Sequence, residues 1–220
     1  MKIKYPINLH KALTFAVVLG LMVIYHNFTL APWVYLALHG TYGFMWLIKS
    51  SVFPDRQWEE SVPVPQGILT FLILLPYWIA PFILISSGSQ PSPALVCLAI
   101  TTNIFGVFLH YGSDAQKYFT LKYRRGLITE GFFARSRNPN YLGEVLIYLG
   151  FAILAQHWLP FVILASFTIL LFVPNMQKKD SSLARYPEFA AYKERSGLLL
   201  PKLWVKPLET PQVGSTNEAS

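Results

Sequence analysis

A chain of 220 residues has room for one domain, or for one bundle of short-looped membrane helices. Hydrophobic residues make up 53% and charged residues 13%, and the apolar ones gather into blocks longer than a soluble core needs. The net charge of +7 does not mark a nucleic-acid binder, because the basic residues sit between apolar blocks, where juxtamembrane charge accounts for them.

Six apolar blocks follow in chain order: Ala12–Leu30, Pro32–Ile48, Gly67–Ser86, Pro93–His110, Tyr141–Ala155 and Trp158–Met176. The first follows Met1-Lys2-Ile3-Lys4 without a small-residue cleavage site, and reads as a retained span. The second carries His39-Gly40-Thr41-Tyr42-Gly43, which sets two protonatable side chains about one helical turn apart, as packing residues or as a catalytic pair. Cys97 is a lone cysteine in the fourth block, so neither a disulfide framework nor a thiolate metal site is available, and no metal is expected. The fifth block is short and carries Glu144. It is either a full crossing or half of a tight hairpin with the sixth, broken at Gln156-His157. Pro76, Pro81 and Pro160 predict kinks that neighbouring helices can absorb.

All 18 lysines and arginines fall in four segments: the N-terminus, Lys49–Gln66, Tyr111–Asn140 and the tail after Met176. Six crossings put these segments on one face, which the positive-inside rule makes cytoplasmic, together with both termini. The expected fold is an all-α membrane bundle of about six transmembrane helices with a cytoplasmic C-terminal amphipathic segment. Its expected divisions are a four-helix half (1–110), a cofactor-binding core (111–208) and a disordered tail (209–220). Endoplasmic reticulum fits a eukaryotic source and the inner membrane fits a bacterial one.

The chemistry concentrates after the fourth block. Ser113-Asp114-Ala115-Gln116-Lys117 leads through Arg124-Arg125 to Arg135-Ser136-Arg137-Asn138-Pro139-Asn140-Tyr141-Leu142-Gly143-Glu144. Lipid headgroups ask only for positive charge, not for Asn-Pro-Asn-Tyr followed by a carboxylate at the mouth of a helix. Arg135 and Arg137 offer planar forks to phosphate or carboxylate. Asn138 and Asn140 add amide donors and acceptors, Pro139 fixes the backbone, and the helix start favours an anion. Glu144 lies one turn inside and should face the bundle, because an intramembrane carboxylate needs a partner. The segment Met176–Arg195 is amphipathic; it either lies on the membrane surface or folds over this mouth. The chain has no Gly-rich dinucleotide fingerprint, Walker loop, His-Glu-x-x-His or Gly-x-Ser-x-Gly, so any nucleotide must be held by the bundle itself.

Gly131 and the run Arg137-Asn138-Pro139-Asn140-Tyr141-Leu142-Gly143-Glu144 resemble the C-terminal core of the steroid 5-alpha-reductase-like membrane family. That superfamily also includes isoprenylcysteine carboxyl methyltransferase-like enzymes. Asp114-x-Gln116-Lys117, Tyr186-Pro187 and Leu200-Pro201 extend the resemblance over about Ser113–Leu203. In the methyltransferase branch the core usually reads Arg-His-Pro, and a Glu-Glu pair opens the tail; here the positions hold Asn138 and Lys179-Asp180. A lysine suits the phosphates of NADPH better than the sulfonium of S-adenosylmethionine, and Gln116 and Lys117 point the same way.

The resemblance implies an NADPH-dependent reductase of an activated C=C bond in a lipid or sterol-like substrate. It implies a cofactor cavity formed by Asp114, Gln116, Lys117, Arg137, Asn138, Asn140, Lys179 and Tyr192. Tyr42, Tyr141 and His39 are then the candidate acids, with Glu144 anchoring the nicotinamide amide or polarising a tyrosine. The alternatives are an S-adenosylmethionine-dependent methyltransferase acting on a lipid or prenylcysteine, and a non-catalytic lipid-binding membrane protein.

Overall fold

The computed structural model describes residues 1–204. Among these the regular elements are helices: α1 (Lys4–Ile24), α2 (Leu30–Val52), α3 (Val64–Leu74), α4 (Ile79–Ser86), α5 (Pro93–Tyr123), α6 (Pro139–Ala155), α7 (Trp158–Phe167), α8 (Val173–Leu183) and α9 (Phe189–Arg195). A 3₁₀ turn at Leu75–Trp78 joins α3 to α4, and a π-helical turn at Thr168–Phe172 joins α7 to α8, so each pair makes one rod. Two isolated bridges, Lys2–Ser61 and Ser136–Gly197, are the β-type pairings among the described residues.

Four stretches are long and apolar enough to cross a membrane: Lys4–Ile24, Val64–Ser86, Pro93–Tyr123 and Trp158–Leu183. Their large apolar side chains point outward, among them Leu9 and Leu13 on α1, Ile68 and Leu72 on α3, Ile104, Phe105 and Phe108 on α5, and Leu170 on the last rod. The interior combines an apolar core around Val18, Tyr35, Leu84 and Phe151 with buried His10, Lys11, Thr14, His39, Asn103, His110 and Asp114. An outward apolar surface of this extent suits lipid and not water. α2 is long enough to span, but its His39–Gly43 stretch lowers its hydropathy because that face is turned into the bundle. α6, at 17 residues, is apolar but shorter than these four.

The tightest packing joins α5 to α6. A Cβ on Gly106 would lie 2.6 Å from the Gly143 carbonyl oxygen, and one on Gly143 would collide with the His110 backbone nitrogen. Small residues let the two backbones touch, as membrane helices do when they pack without a hydrophobic driving force. Side-chain hydrogen bonds lock the register: Asn103 Nδ2 donates to the Ile147 carbonyl at 3.3 Å, and His110 Nδ1 to the Asn140 carbonyl at 3.0 Å.

Several sequence expectations shift. The first helix begins at Lys4 instead of Ala12, so Lys11 lies inside a helix and not on its flank. Asp114 and Lys117, expected in a loop, lie on α5, which continues to Tyr123 because nothing between His110 and Lys122 breaks it and its charges pair along one face. The expected division at residue 110 therefore falls in mid-helix. Gln156-His157 does separate two helices: Gln156 takes a left-handed conformation at φ 49°, and the His157 ring caps α7 by accepting from the Leu159 N–H. Pro76 coincides with the 3₁₀ turn and Pro81 follows close behind it, whereas Pro160 sits in the first turn of α7, where the missing N–H costs no helical bond. Met176–Arg195 is not one amphipathic helix; α8 continues the last rod to Leu183, and Pro187 separates it from α9. The tail expected to be disordered, Glu209–Ser220, lies outside the described residues.

Replacing Gly143 by alanine should force α5 and α6 apart and cost about 1–3 kcal/mol, the usual penalty of overpacking. Gly20, which has nothing within 4 Å of its would-be Cβ, supplies the control: Gly20→Ala should leave the melting temperature unchanged or raise it. Thermal unfolding in one detergent checks both, and an unchanged melting temperature for Gly143→Ala would refute backbone contact between the two helices.

Candidate functional site

The connections at one end of the bundle converge. The N-terminus meets the α2–α3 connection through Lys2 and Lys4, whose ammonium groups lie 2.7 and 2.5 Å from Glu59. Deeper in, four charges alternate. Lys49 Nζ lies 2.6 Å from Asp55 and 2.7 Å from Asp114, and Lys117 Nζ lies 2.6 Å from Asp55 and 3.7 Å from Asp114. This tetrad ties the end of α2, the connection after it and the last turns of α5 into one body. Burial works to raise the Asp55 carboxyl pKa, but Lys117 and Lys49, both hydrogen-bonded to it, outweigh burial and hold it well below the ordinary carboxylate range.

The second assembly surrounds the start of α6. Arg137 is buried, and its Nε donates to both Asp180 oxygens at 3.0 Å while another guanidinium nitrogen donates to the Ser196 carbonyl. Asn138 Nδ2 donates to the Leu198 carbonyl at 2.8 Å. The Tyr192 hydroxyl donates to the Phe133 carbonyl at 2.7 Å, and burial raises its pKa, so it is a fixed donor. These contacts fold α9 and the following residues over the α6 mouth, the second of the two arrangements open to the tail. Lys179 differs from its neighbours. Its ammonium donates to the Arg137 carbonyl at 2.8 Å and to Asn138 Oδ1 at 3.1 Å, with no carboxylate in ion-pairing distance among the described residues.

The predicted site residues are not all gathered at one point. Lys117, Arg137, Lys179 and Tyr192 line one small pocket of about 80 Å³, with Phe133, Ile128 and Leu183 as apolar walls. Through Lys117 and Leu121 it adjoins an open cleft of about 700 Å³ lined also by Arg56, Lys122, Arg124 and Arg125. Asp114 belongs to the tetrad. Gln116 acts locally, since its side chain donates to the Glu130 carbonyl at 3.0 Å and accepts from the Phe132 N–H at 2.9 Å, holding the turn where Gly131 takes φ 60°. Tyr141 packs against Phe172, ring centroids 5.0 Å apart. Glu144 is half-buried and accepts no hydrogen bond among the described residues. It lies four residues before Tyr148 on α6, on the face where the Tyr148 hydroxyl meets Lys11. His39 and Tyr42 are buried with ring centroids 6.3 Å apart, so they do not bond to each other; His39 Nδ1 is 3.1 Å from the Tyr35 hydroxyl.

Buried polar atoms left without a hydrogen bond mark where a ligand has something to offer. Among the described residues these include Asp114 Oδ1, His110 Nε2, Asn140 Oδ1, Tyr42 Oη and His39 Nε2. The Asn140 carbonyl can only accept, so His110 Nδ1 carries a proton, and its Nε2 lies 4.0 Å from Asp114. Sequence reasoning missed Lys11, Lys49, Asp55, His110 and Asp180. Asp55 and Lys49 are far from the motif in the chain, and no spacing rule links them to Asp114. His110 closes an apolar block and is indistinguishable there from a packing residue.

Asp55 carries a pH dependence that can be measured. A carboxylate whose folded pKa is depressed contributes stability that is complete above its unfolded value, roughly 4, and is lost as pH falls through the folded value. The parent protein should therefore lose melting temperature below about pH 4. Asp55→Asn should be less stable at neutral pH and show a shallower acid limb. Equal acid limbs in the two proteins would remove Asp55 from the tetrad.

Comparison with known proteins adds one finding. No curated protein and no solved structure matches the chain. A family model described as "Protein of unknown function (DUF1295)" matches residues 55–196, well over half of the chain, beginning at the tetrad's Asp55 and ending at Ser196, which accepts from Arg137. The chain therefore belongs to the DUF1295 family, which is related to the steroid 5-alpha-reductase-like proteins.

Proposed function

We propose that this protein is a multi-pass membrane reductase that uses NADPH to saturate an activated C=C bond in a lipid, an enone or an enoyl thioester. In this reading α1, α2, α3–α4, α5, α6 and α7–α8 make six crossings, and the charged end of the bundle faces the cytoplasm. The observation that carries the reading is Lys179. The tetrad balances two cations against two carboxylates, and Arg137 is balanced by Asp180. Lys179 is held by neutral acceptors beside Lys117 and Arg137, in a pocket whose lining includes no carboxylate. Such a pocket suits an anion the size of a phosphate and repels a sulfonium cation. The aromatic surface that could welcome a sulfonium, formed by Tyr42, Trp46 and Tyr148, is already occupied by the ammonium of Lys11.

The residues fit a nicotinamide dinucleotide in a further respect. The unpartnered Asn140 Oδ1 and the half-buried Glu144 offer acceptors at the α6 mouth, the chemistry that a carboxamide's N–H donors require. When bound, the cofactor supplies hydride. The chain supplies the rest: Lys179 and Lys117 hold phosphate, Asn140 and Glu144 orient the amide end, and the buried tyrosines exclude water and supply a proton. Arg137 has a different part from the one its motif suggests. Its fork is filled by Asp180 and Ser196, so it holds the tail over the site.

Parallel titrations of the solubilised protein with NADPH and with S-adenosylmethionine test the reading, with binding followed as a rise in melting temperature. NADPH alone should stabilise. Lys179→Gln should weaken NADPH by about 1.5–3 kcal/mol, the range for a hydrogen bond to a charged group, while keeping the parent's ligand-free melting temperature. Stabilisation by S-adenosylmethionine and not by NADPH would replace this reading with the methyltransferase one; stabilisation by neither would favour a lipid-binding protein.

A further inference from the structure

Lys11 lies two turns into α1 and is 4% exposed. Its ammonium donates to the Tyr148 hydroxyl at 2.7 Å and stands 4.3 Å from the centre of the Tyr42 ring, with Trp46 and Tyr148 at 5.3 Å and Tyr77 at 6.0 Å. No carboxylate comes within ion-pairing distance among the described residues, and the ammonium's one side-chain hydrogen bond goes to a hydroxyl. A cation inside a membrane bundle is costly unless something answers its charge. One hydroxyl and a set of ring faces answer part of it and leave donors on the ammonium without an oxygen acceptor. The backbone is shaped to bring the lysine there, since a Cβ on Gly43 of α2 would lie 2.5 Å from the Lys11 carbonyl oxygen.

Other groups around the ammonium are also incomplete. Tyr42 Oη and His39 Nε2 are buried without a hydrogen bond among the described residues. From the α4, α6 and α7 side, a narrow apolar gap lined by Pro76, Tyr77, Ala80, Tyr148, Pro160 and Leu164 reaches the stacked Tyr77–Tyr148 pair, whose centroids are 3.8 Å apart. The unfilled donors of Lys11 and the Tyr42 hydroxyl, set among ring faces, suit a lipid that carries one oxygen function. Lys11 also lies outside residues 55–196, so the family match does not account for it.

We propose that Lys11 receives the carbonyl oxygen of the lipid substrate, donating a hydrogen bond to it and offsetting the negative charge that oxygen gains during reduction. The inference rests on the reductase reading. In that reaction hydride adds to the β-carbon, the π electrons shift onto the carbonyl oxygen, and a proton then joins the α-carbon. Lys11 acts at the oxygen, and the neighbouring Tyr42 hydroxyl is the proton source.

The test uses the unmodified protein in lipid nanodiscs, with palmitaldehyde as the probe and cyanoborohydride as the trap, at mildly alkaline pH. An amine that meets the aldehyde carbon expels water to form an imine, and hydride from cyanoborohydride converts the imine to a stable secondary amine that peptide mass spectrometry can locate. Lys11 should be modified at aldehyde levels that leave the exposed Lys122 and Lys178 largely unmodified, and Tyr148→Phe, which frees the ammonium while keeping the ring, should raise the Lys11 yield. Modification confined to exposed lysines would overturn the inference. NADPH titration of the same preparation separates the two ideas. NADPH binding with Lys11 unmodified leaves the reductase reading standing and sinks this one. Lys11 modified in a protein that binds no NADPH keeps the lysine as a lipid-carbonyl site and sinks the reductase reading.

Discussion

The contact between Gly106 and Gly143 sets the relative position of the polar groups that α5 and α6 contribute to the bundle. α5 carries Asn103, His110, Asp114 and Lys117; α6 carries Asn140, Glu144 and Tyr148. With the two backbones touching, His110 reaches the Asn140 carbonyl and Asn103 reaches that of Ile147. Larger residues at either glycine would add a side-chain layer between the helices, and both hydrogen bonds would be out of reach. The same approach sets Glu144 one turn from the α6 mouth and Tyr148 one turn deeper, where it meets Lys11 from α1.

From that contact the buried charges sort into three kinds. Some are neutralised within the chain: the tetrad of Lys49, Asp55, Asp114 and Lys117, and the Arg137–Asp180 pair. Such pairs cost desolvation and recover most of it, so they serve to fix geometry more than to add stability. Lys179 is held by neutral acceptors at the charged end, and Lys11 by a hydroxyl and ring faces within the bundle. On the proposed reading, these two cations, without a carboxylate partner among the described residues, divide the labour: Lys179 meets phosphate near the surface and Lys11 meets a substrate oxygen inside.

How much of this is legible in the sequence depends on the range of the interaction. Apolar blocks report burial in lipid directly, and the Arg137–Glu144 run announces itself through residue types that lipid contact does not need. Long-range ion pairs leave no such trace. Asp55 meets Lys117 across the whole α3–α4 rod, and Arg137 meets Asp180 across α6 and α7. In the sequence the fork of Arg137 looks free because its partner cannot be seen. Lys11 is hidden by the opposite error: a lysine next to an apolar block looks like a flank. Only the early start of α1 at Lys4 carries it into the bundle. Asp114 and Lys117 look like loop charges until their pairing on one helical face is visible.

On the proposed reading, the charged end of the bundle is a site for an anionic dinucleotide, separate in depth from the lysine that meets the lipid. A structure of the protein in nanodiscs with NADPH tests this most directly. The expected result is density for the dinucleotide at the charged end, with phosphate against Lys179 and Lys117 and the amide end toward Asn140 and Glu144. Density for the dinucleotide at the opposite end, near Ser89 and Gln156, or Lys179 left unengaged while the ligand binds elsewhere, would contradict it.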